Sequence, residues 1–371
     1  MGIEILGDEV RNHPEFDEHF AVLRKRFTDN AYGIIAIHRN MPNHISTGGT
    51  RRGLFSDPFA EGLPLSRGMT YKIRTADIPW GGGAKGVLVA DPEAPDADDI
   101  VREYAKFVNE LGGLFYTGED MNMHVRQIDI MAEITPYVLG RSSDKRHKDG
   151  LKGGGDPSLS TAYGVFLGIQ ECLQATYGTR SVRNFTYCIS GLGSTGLPIA
   201  TWIYDAGGYV YLADWDEKKI ERALACMRDK DRVKVLDWRT AHKKTVDVFV
   251  PCAGGNIINE ETQDEFDCRI VAGSANCIFT RRHAYIADYF HLRRGILIAP
   301  DYVINAGGLI HIYHESIGFN SDAVKWDVEK ISDRLGHIFK ISKESGRIPH
   351  RIADEMVALK TIAEEKKRAK K

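Results

Sequence analysis

The chain has 371 residues, of which 43% are hydrophobic and 27% charged, a composition typical of a globular protein with roughly two domains. Its formal net charge of -2 gives no electrostatic reason to expect a nucleic acid or an anionic membrane as partner. Six cysteines lie scattered without a CxxC pair or zinc-type spacing, which predicts reduced thiols in a cytoplasmic protein.

Membrane insertion and secretion are not expected. No apolar run approaches the ~20 residues of a transmembrane helix. Residues 1–16 carry four acidic side chains and lack the basic start and apolar stretch of a signal peptide. We therefore predict a cytoplasmic location.

The first 150 residues mix strand-like and helical segments. Short apolar runs at Tyr32–His38 and Gly86–Ala90 predict strands, and the spacing of apolar residues predicts a helix over Asp99–Leu111. Residues 142–156 are polar and rich in glycine, which is typical of an exposed connection. The sequence thus predicts an α/β domain over residues 1–150.

A second domain is expected over residues 151–315. It opens with a predicted helix at Thr161–Gln174, with Ser158 or Ser160 as its N-cap. Strand, glycine turn, helix and strand then follow, and further short apolar runs continue at 246–250, 270–271 and 296–299. Alternation of this kind predicts a parallel, doubly wound sheet. Residues 316–371 are expected to form helices that pack back onto the first domain.

A glycine turn at residues 191–196, GLGSTG, has the context of a dinucleotide site. Gly191, Gly193 and Gly196 follow a predicted strand and open a predicted helix, whose N-terminus would face a pyrophosphate. Asp214, at the end of the next strand, would accept hydrogen bonds from the adenosine ribose and repel a 2′-phosphate, which favours NAD over NADP. Asp216 is the alternative acid, and a glycine turn of another α/β protein is the alternative interpretation.

Two lysines flank a glycine-rich segment that is interpreted as a turn. Lys72 ends the sequence MTYK, and Lys85 lies in GGAKG. Neighbouring ammonium groups lower each other's pKa, and a lysine of this kind can act as a general base or polarise a carbonyl. Taken alone, the segment favours two surface lysines, and the motifs that contain Asp120 and Asn305 are equally ambiguous.

Seven motifs nevertheless occur in a familiar order. They are GGAKG (82–86), GEDM (118–121), TAYG (161–164), GLGSTG (191–196), PCAGG (251–255), AGSAN (272–276) and PDYVINAGG (300–308). Over most of its length the chain resembles the glutamate/leucine/phenylalanine/valine dehydrogenase family, and PDYVINAGG is closest to the leucine, phenylalanine and tryptophan branch.

This resemblance implies a fold and an activity. The fold would combine an N-terminal α/β substrate and oligomerisation domain with a Rossmann-type NAD-binding domain. The enzyme would be a homo-oligomer that interconverts an L-amino acid and its 2-oxo acid, with release of ammonia, in a cleft between the domains.

The resemblance also implies residue roles. Lys85 would activate water and stabilise the carbinolamine oxygen, and Asp120 would carry the proton to and from the substrate nitrogen. Met69, Lys72 and Asn305 would bind the substrate, with Lys72 on its α-carboxylate. The residues expected to contact the cofactor are Thr161, Gly191, Gly193, Ser194, Thr195, Gly196, Asp214, Cys252, Ala253 and Asn276.

The substrate side chain is left open because the chain departs from the family where relatives line its pocket. The segment before Gly48–Arg51 lacks the usual LGP, and Gly81 is an extra residue between the two lysines. We expect a bulky apolar or aromatic amino acid. If Arg334 or His337 faces the substrate, a polar or acidic amino acid is the alternative.

Two alternative interpretations concern ligand binding without turnover and metal binding. A protein that binds NAD and an amino acid as a sensor, without turnover, would use the same motifs. His311, His314 and Glu315 have helical spacing suited to zinc, but no further ligand or zinc motif accompanies them, so we expect no metal. These residues are expected to support the helix that follows Asn305.

Overall fold

The structure is a computed structural model that describes residues 2–41, 44–144, 150–279 and 285–368. The chain divides into two compact units: Met1–Pro157 with His311–Val324, and Ser158–Ile310 with Lys325–Lys371. Each unit contains its own sheet. No helix among the described residues is long and apolar enough to cross a membrane.

The first unit is built on a mixed sheet. Its strands are β1 (Glu4–Ile5), β2 (Ala21–Arg26), β3 (Tyr32–Ile37), β4 (Ser46–Thr47), β5 (Thr50–Gly53), β6 (Gly82–Val89) and β7 (Phe115–Tyr116). Its first helices are α1 (Asp8–Arg11), α2 (Pro58–Thr75), α3 (Ala97–Glu110) and α4 (Val125–Ala132). The strand order is β1-β2-β3-β6-β4-β7, and β5 also pairs with β6. Strand β6 runs antiparallel to β3 and parallel to β4 and β5.

The glycine-rich segment before Lys85 is strand, so its interpretation as a turn was wrong. All eight residues of β6 are buried, because the strand has partners on both edges and α2 lies directly over it. A Cβ added at Gly83 would be only 2.2 Å from the backbone nitrogen of Thr70 on α2. The glycines therefore allow α2 to pack closely on β6, and the chain does not turn at this segment.

The second unit contains a parallel sheet. Its strands are β8 (Thr186–Ser190), β9 (Tyr209–Ala213), β10 (Val233–Val235), β11 (Val248–Pro251), β12 (Ile270–Val271) and β13 (Leu297–Ile298). The order β10-β9-β8-β11-β12-β13 is that of a doubly wound dinucleotide-binding sheet, as predicted. The remaining helices of the chain are α5 (Ser158–Tyr177), α6 (Gly196–Asp205), α7 (Glu217–Ala225), α8 (Tyr285–Tyr289), α9 (Asp301–Ile304), α10 (Gly307–Ile317), α11 (Ser321–Ser345) and α12 (Pro349–Arg368).

The C-terminal residues are shared between the two units, whereas residues 316–371 are expected from the sequence to form one segment. Residues 311–324 belong to the first unit, whereas residues 325–371 belong to the second. Helix α11 packs there on α5, where Tyr163 donates to Glu329 at 2.9 Å and Ser332 donates to Glu171 at 2.5 Å. Helix α5 itself begins at Ser158, so Ser158 and Ser160 lie within the helix and do not precede it as caps.

Candidate active site

Lys85 and Asp120 are in direct contact in the first unit. Lys85 lies on β6 and is 3% exposed, and its Nζ donates to Oδ2 of Asp120 in the loop after β7. The Asp120 side chain keeps 22% of its surface exposed, so it can be reached from outside. The structure therefore joins the two residues for which the sequence implied catalytic roles.

Arg51 completes the surroundings of Asp120, and the sequence interpretation missed it. Its Nε donates to Asp120 Oδ1 at 3.0 Å, and its Nη1 donates to Glu61 Oε2 on α2 at 2.6 Å. Burial alone would raise the pKa of Asp120, but the charges of Lys85 and Arg51 outweigh it and hold this pKa well below its usual range. The available signal is that Arg51 ends the motif GGTR, directly after the segment in which the chain departs from its relatives.

Helix α2 carries Met69 and Lys72, two of the three residues expected from the resemblance to bind the substrate. Met69 and Lys72 are both half-buried, and their spacing of three residues places them on one face of the helix. Thr70, between them, accepts a hydrogen bond from the backbone N–H of Gly83 at 2.8 Å. This bond fixes the helix against the strand that carries Lys85.

The extra residue Gly81 lies before β6 and leaves its pairing intact. Gly81 donates its backbone N–H to Ile45 at 2.7 Å, and Arg74 donates to the carbonyls of Trp80 and Gly81 at 3.0 and 2.7 Å. Lys85 consequently pairs with Ala36 in regular register.

Glu119, which directly precedes Asp120, has an unusual environment. Burial and the nearby charge of Asp156 raise its pKa to about 7, with a smaller contribution from Glu315. A carboxyl group that titrates near neutrality is thus adjacent in sequence to the Asp120–Lys85 pair.

In the second unit, the glycine turn is crowded at Gly191 and Gly196 and open at Gly193. Gly191 has a φ of 101°, and a Cβ added at Gly196 would lie 1.9 Å from the Gly191 carbonyl oxygen. At Gly193, by contrast, a Cβ would meet no atom within 4 Å. The open position leaves room for a pyrophosphate to approach the backbone, so the turn fits a dinucleotide.

Asp214 is fixed at the end of β9. Its Oδ2 accepts from the backbone N–H of Leu192 in the turn at 2.7 Å, and its Oδ1 accepts from the N–H of Asp216 at 2.9 Å. Asp216 itself caps α7, where it accepts from the N–H of Lys218 at 3.0 Å. This arrangement favours Asp214 over Asp216 as the acid facing a ribose.

Asn305 and Asn276 form the polar end of the second unit's site. Asn305 is 3% exposed, and its Nδ2 donates to Ser274 O, Ala275 O and Asn276 Oδ1. The described residues offer no hydrogen-bond partner to its buried Oδ1. A flipped amide would place its oxygen against three acceptors, so Oδ1 is the amide atom left without a hydrogen bond in the described residues.

The other cofactor residues named from the sequence lie in the same unit. Thr195 Oγ1 is 2.8 Å from Ser274 Oγ, and Ser158 Oγ donates to Ser194 Oγ at 3.0 Å. Cys252 and Ala253 follow β11, where a Cβ at Gly191 would lie within 2.9 Å of both. Thr161 lies in the first turn of α5. Met69, Lys72, Lys85 and Asp120 all belong to the other unit.

His311 and Glu315 make structural contacts in the first unit. His311 Nε2 lies 3.1 Å from the Gly154 carbonyl oxygen. The fully buried Glu315 accepts from the N–H groups of Gly140 and Gly154 and from Arg141 Nε at 2.8 Å. The described residues contain no group of three or more His, Cys, Asp or Glu side chains arranged to hold a metal.

Comparison with known proteins agrees with these features. The family model for glutamate/leucine/phenylalanine/valine dehydrogenases matches residues 153–365, and the model for their dimerisation domain matches residues 20–137. The L-tryptophan dehydrogenase of Nostoc punctiforme is 36% identical over 77% of this chain and 76% of its own length. The leucine dehydrogenase of Geobacillus stearothermophilus is 32% identical over 89% of this chain and 86% of its own length.

A solved structure gives the same result. The crystal structure of L-tryptophan dehydrogenase from Nostoc punctiforme superposes with a TM-score of 0.72 at 30% identity, covering 94% of this chain and 97% of that one. The chain belongs to the glutamate/leucine/phenylalanine/valine dehydrogenase family, and the expectation of a two-domain, NAD-dependent amino acid dehydrogenase is confirmed at the level of this family.

Proposed function

We propose that the chain catalyses the reversible, NAD-dependent deamination of an L-amino acid with a bulky apolar or aromatic side chain, giving the 2-oxo acid and ammonia. The observation that carries the proposal is the Lys85–Asp120 contact, in which an almost fully buried ammonium group meets a carboxylate that is still reachable. A fixed acid and base in contact is the arrangement that proton transfer at an amino group requires.

The first unit supplies the groups for proton transfer. Asp120 exchanges a proton with the substrate nitrogen, and Lys85 orients the attacking water and stabilises negative charge on the substrate oxygen. Lys72, with Met69 one turn before it on α2, pairs with the α-carboxylate.

The second unit holds the cofactor. Bound there, NAD would supply the acceptor for the hydride of the substrate Cα. Asp214 binds the adenosine ribose, and Gly193 lets the backbone approach the pyrophosphate. Ser194, Thr195 and Gly196 lie where α6 begins and would hold the pyrophosphate, and Thr161, Cys252, Ala253 and Asn276 would hold the nicotinamide side. Asn305 presents Oδ1, an acceptor suited to the N–H donors of the substrate.

The proposed side chain of the substrate is inferred from the similar proteins and from which residues of α11 are exposed. The similar proteins named above act on tryptophan and leucine. His337 is exposed on α11, whereas Ile331 and Leu335 form the buried face. A substrate with a polar or acidic side chain would require the half-buried Arg334 to reach it.

The proposal includes a homo-oligomer in the cytoplasm. A family model for a dimerisation domain matches residues 20–137, and no described helix is suited to a membrane.

A panel of L-amino acids with NAD, and of 2-oxo acids with ammonia and NADH, tests the proposed function by the absorbance of NADH. Turnover is expected with at least one apolar or aromatic member. The Lys85→Ala variant should lose turnover while binding NAD as before. Calorimetric binding of NAD and an amino acid without turnover would instead identify the protein as a sensor.

A further inference from the structure

Four charged side chains form a continuous chain of contacts in the first unit, in the order Glu61, Arg51, Asp120 and Lys85. Arg51 donates to Glu61 at 2.6 Å and to Asp120 at 3.0 Å, and Lys85 donates to the other oxygen of Asp120. They come from α2, β5, the loop after β7, and β6. The tertiary fold therefore assembles the chain, since no two of these residues are neighbours in sequence.

Arg51 fixes the plane of the Asp120 carboxylate. Oδ1 accepts from Arg51 Nε and from the N–H of Met121 at 2.7 Å, while Oδ2 accepts from Lys85. Rotation of the carboxylate would break contacts at both oxygens. The guanidinium group is itself held, because its second contact goes to Glu61 and its donors have a rigid geometry.

We propose that Arg51 is a positioning residue for the proton chemistry of Asp120, and that Glu61 sets how strongly the charge of Arg51 acts there. The proposal rests on the proposed function, in which Asp120 exchanges a proton with the substrate nitrogen. Arg51 takes up no proton itself, because its guanidinium group stays charged in proteins. It acts by holding the carboxylate and by its positive charge.

The charges of Arg51 and Glu61 have opposite effects on the Asp120–Lys85 pair. In the described residues, Asp120 faces Lys85 from β6, Arg51 from β5 and the N–H of Met121 from its own loop. The positive charge of Arg51 favours loss of a proton from the Asp120–Lys85 pair, whereas the negative charge of Glu61 partly cancels it. The side chains of Arg51 and Glu61 are 24% and 32% exposed, so water moderates both effects.

The pH profile of kcat/KM distinguishes the effect of the charge of Arg51 from the effect of its geometry. Its acid limb belongs to the coupled Asp120–Lys85 pair. We expect Arg51→Gln to move this limb to higher pH by about one unit, and Glu61→Gln to move it to lower pH by less. Arg51→Lys keeps the charge but loses the rigid geometry, so kcat should fall about tenfold or more while the limb stays in place.

A matched control is Arg126→Gln. Arg126 lies on α4 and also pairs with a carboxylate, that of Asp98. Unlike Arg51, it has 65% of its side chain exposed. This variant should leave the limb unmoved. If Arg51→Gln and Glu61→Gln move the limb in the same direction, or not at all, Arg51 does not act as proposed.

A carboxyl 13C NMR titration tests the proposal without turnover. The Asp120 resonance is assigned by its loss in Asp120→Asn. In Arg51→Gln the carboxyl group should begin to protonate at a higher pH than in the wild type, and an unchanged titration contradicts the proposal. If the wild type converts no amino acid, the proposed function fails separately and this measurement still decides the role of Arg51.

Discussion

Asn305 donates its side-chain N–H to the side-chain oxygen of Asn276 at 2.9 Å. Two backbone carbonyls, of Ser274 and Ala275, accept from the same Nδ2 at 3.2 Å each. The amide can therefore adopt one orientation only, with the buried Oδ1 pointing away from these acceptors. The three contacts of Nδ2 thus set the direction in which Oδ1 can accept a hydrogen bond.

Replacing Asn305 tests this acceptor. Asn305→Ala should reduce kcat/KM for the amino acid about 10- to 100-fold, because it removes the acceptor and leaves three oxygens without their donor. Asn305→Asp should lower the melting temperature as well, since a carboxylate would face those oxygens. Steady-state kinetics and thermal unfolding measure the two effects. Normal kinetics in Asn305→Ala would exclude Asn305 from substrate binding.

Two glycines of the same turn should respond differently to alanine. Gly193→Ala adds a methyl group in open space, so the melting temperature should stay unchanged while the affinity for NAD falls. Gly196→Ala places the methyl group 1.9 Å from the Gly191 carbonyl oxygen and should lower the free energy of unfolding by about 3 kcal/mol or more. Calorimetry with NAD and thermal unfolding distinguish them. Unchanged NAD affinity in Gly193→Ala would mean that no phosphate approaches there.

Asp214 and Asp216 provide a second matched pair. Asp214→Ser should weaken NAD binding about tenfold and reduce discrimination against NADP, because the carboxylate that would bind the ribose is lost. Asp216→Ser should retain NAD affinity, since serine can also cap α7. Trp215, 73% exposed beside Asp214, offers a fluorescence signal for titrations with ADP-ribose and its 2′-phosphate. Equal losses in both variants would argue against the assignment of Asp214.

The parts of the molecule that the sequence predicted correctly depend on local pattern. Strand β9 ends at Ala213, directly before Asp214 as predicted, and the glycine turn lies between β8 and α6 as expected. Apolar periodicity and turn residues suffice there, because each element is specified by its own residues.

The rest depends on contacts between residues far apart in the chain. Arg51 and Asp120 are 69 positions apart, and no pattern in one sequence pairs them. The GGAKG segment was misread because glycines usually indicate a turn, whereas here α2 packs so closely on β6 that only glycine fits at Gly83. Helix α11 packs on α5 because Gly164 and Gly168 leave room for Ile331 and Leu335, which neither helix reveals alone.

Glu119 should make the stability of the protein depend on pH. Its pKa in the folded protein is raised from 4.5 to about 7, so between these values the folded state binds the proton more strongly than the unfolded state. The contribution of Glu119 is then fully present below about pH 4.5 and is lost as the pH rises towards 7. Relative to Glu119→Gln, the wild type should lose about 1–3 kcal/mol of unfolding free energy across this window.

Denaturant unfolding of both proteins at a series of pH values measures this difference. Glu133→Gln is a suitable control, because it makes the same change of side chain at an exposed glutamate at the end of α4. The curves for the wild type and Glu119→Gln should diverge between pH 4.5 and 7 and run parallel above it. Parallel curves throughout would show that Glu119 is ionised as readily in the folded protein as in the unfolded chain, despite its burial beside Asp156.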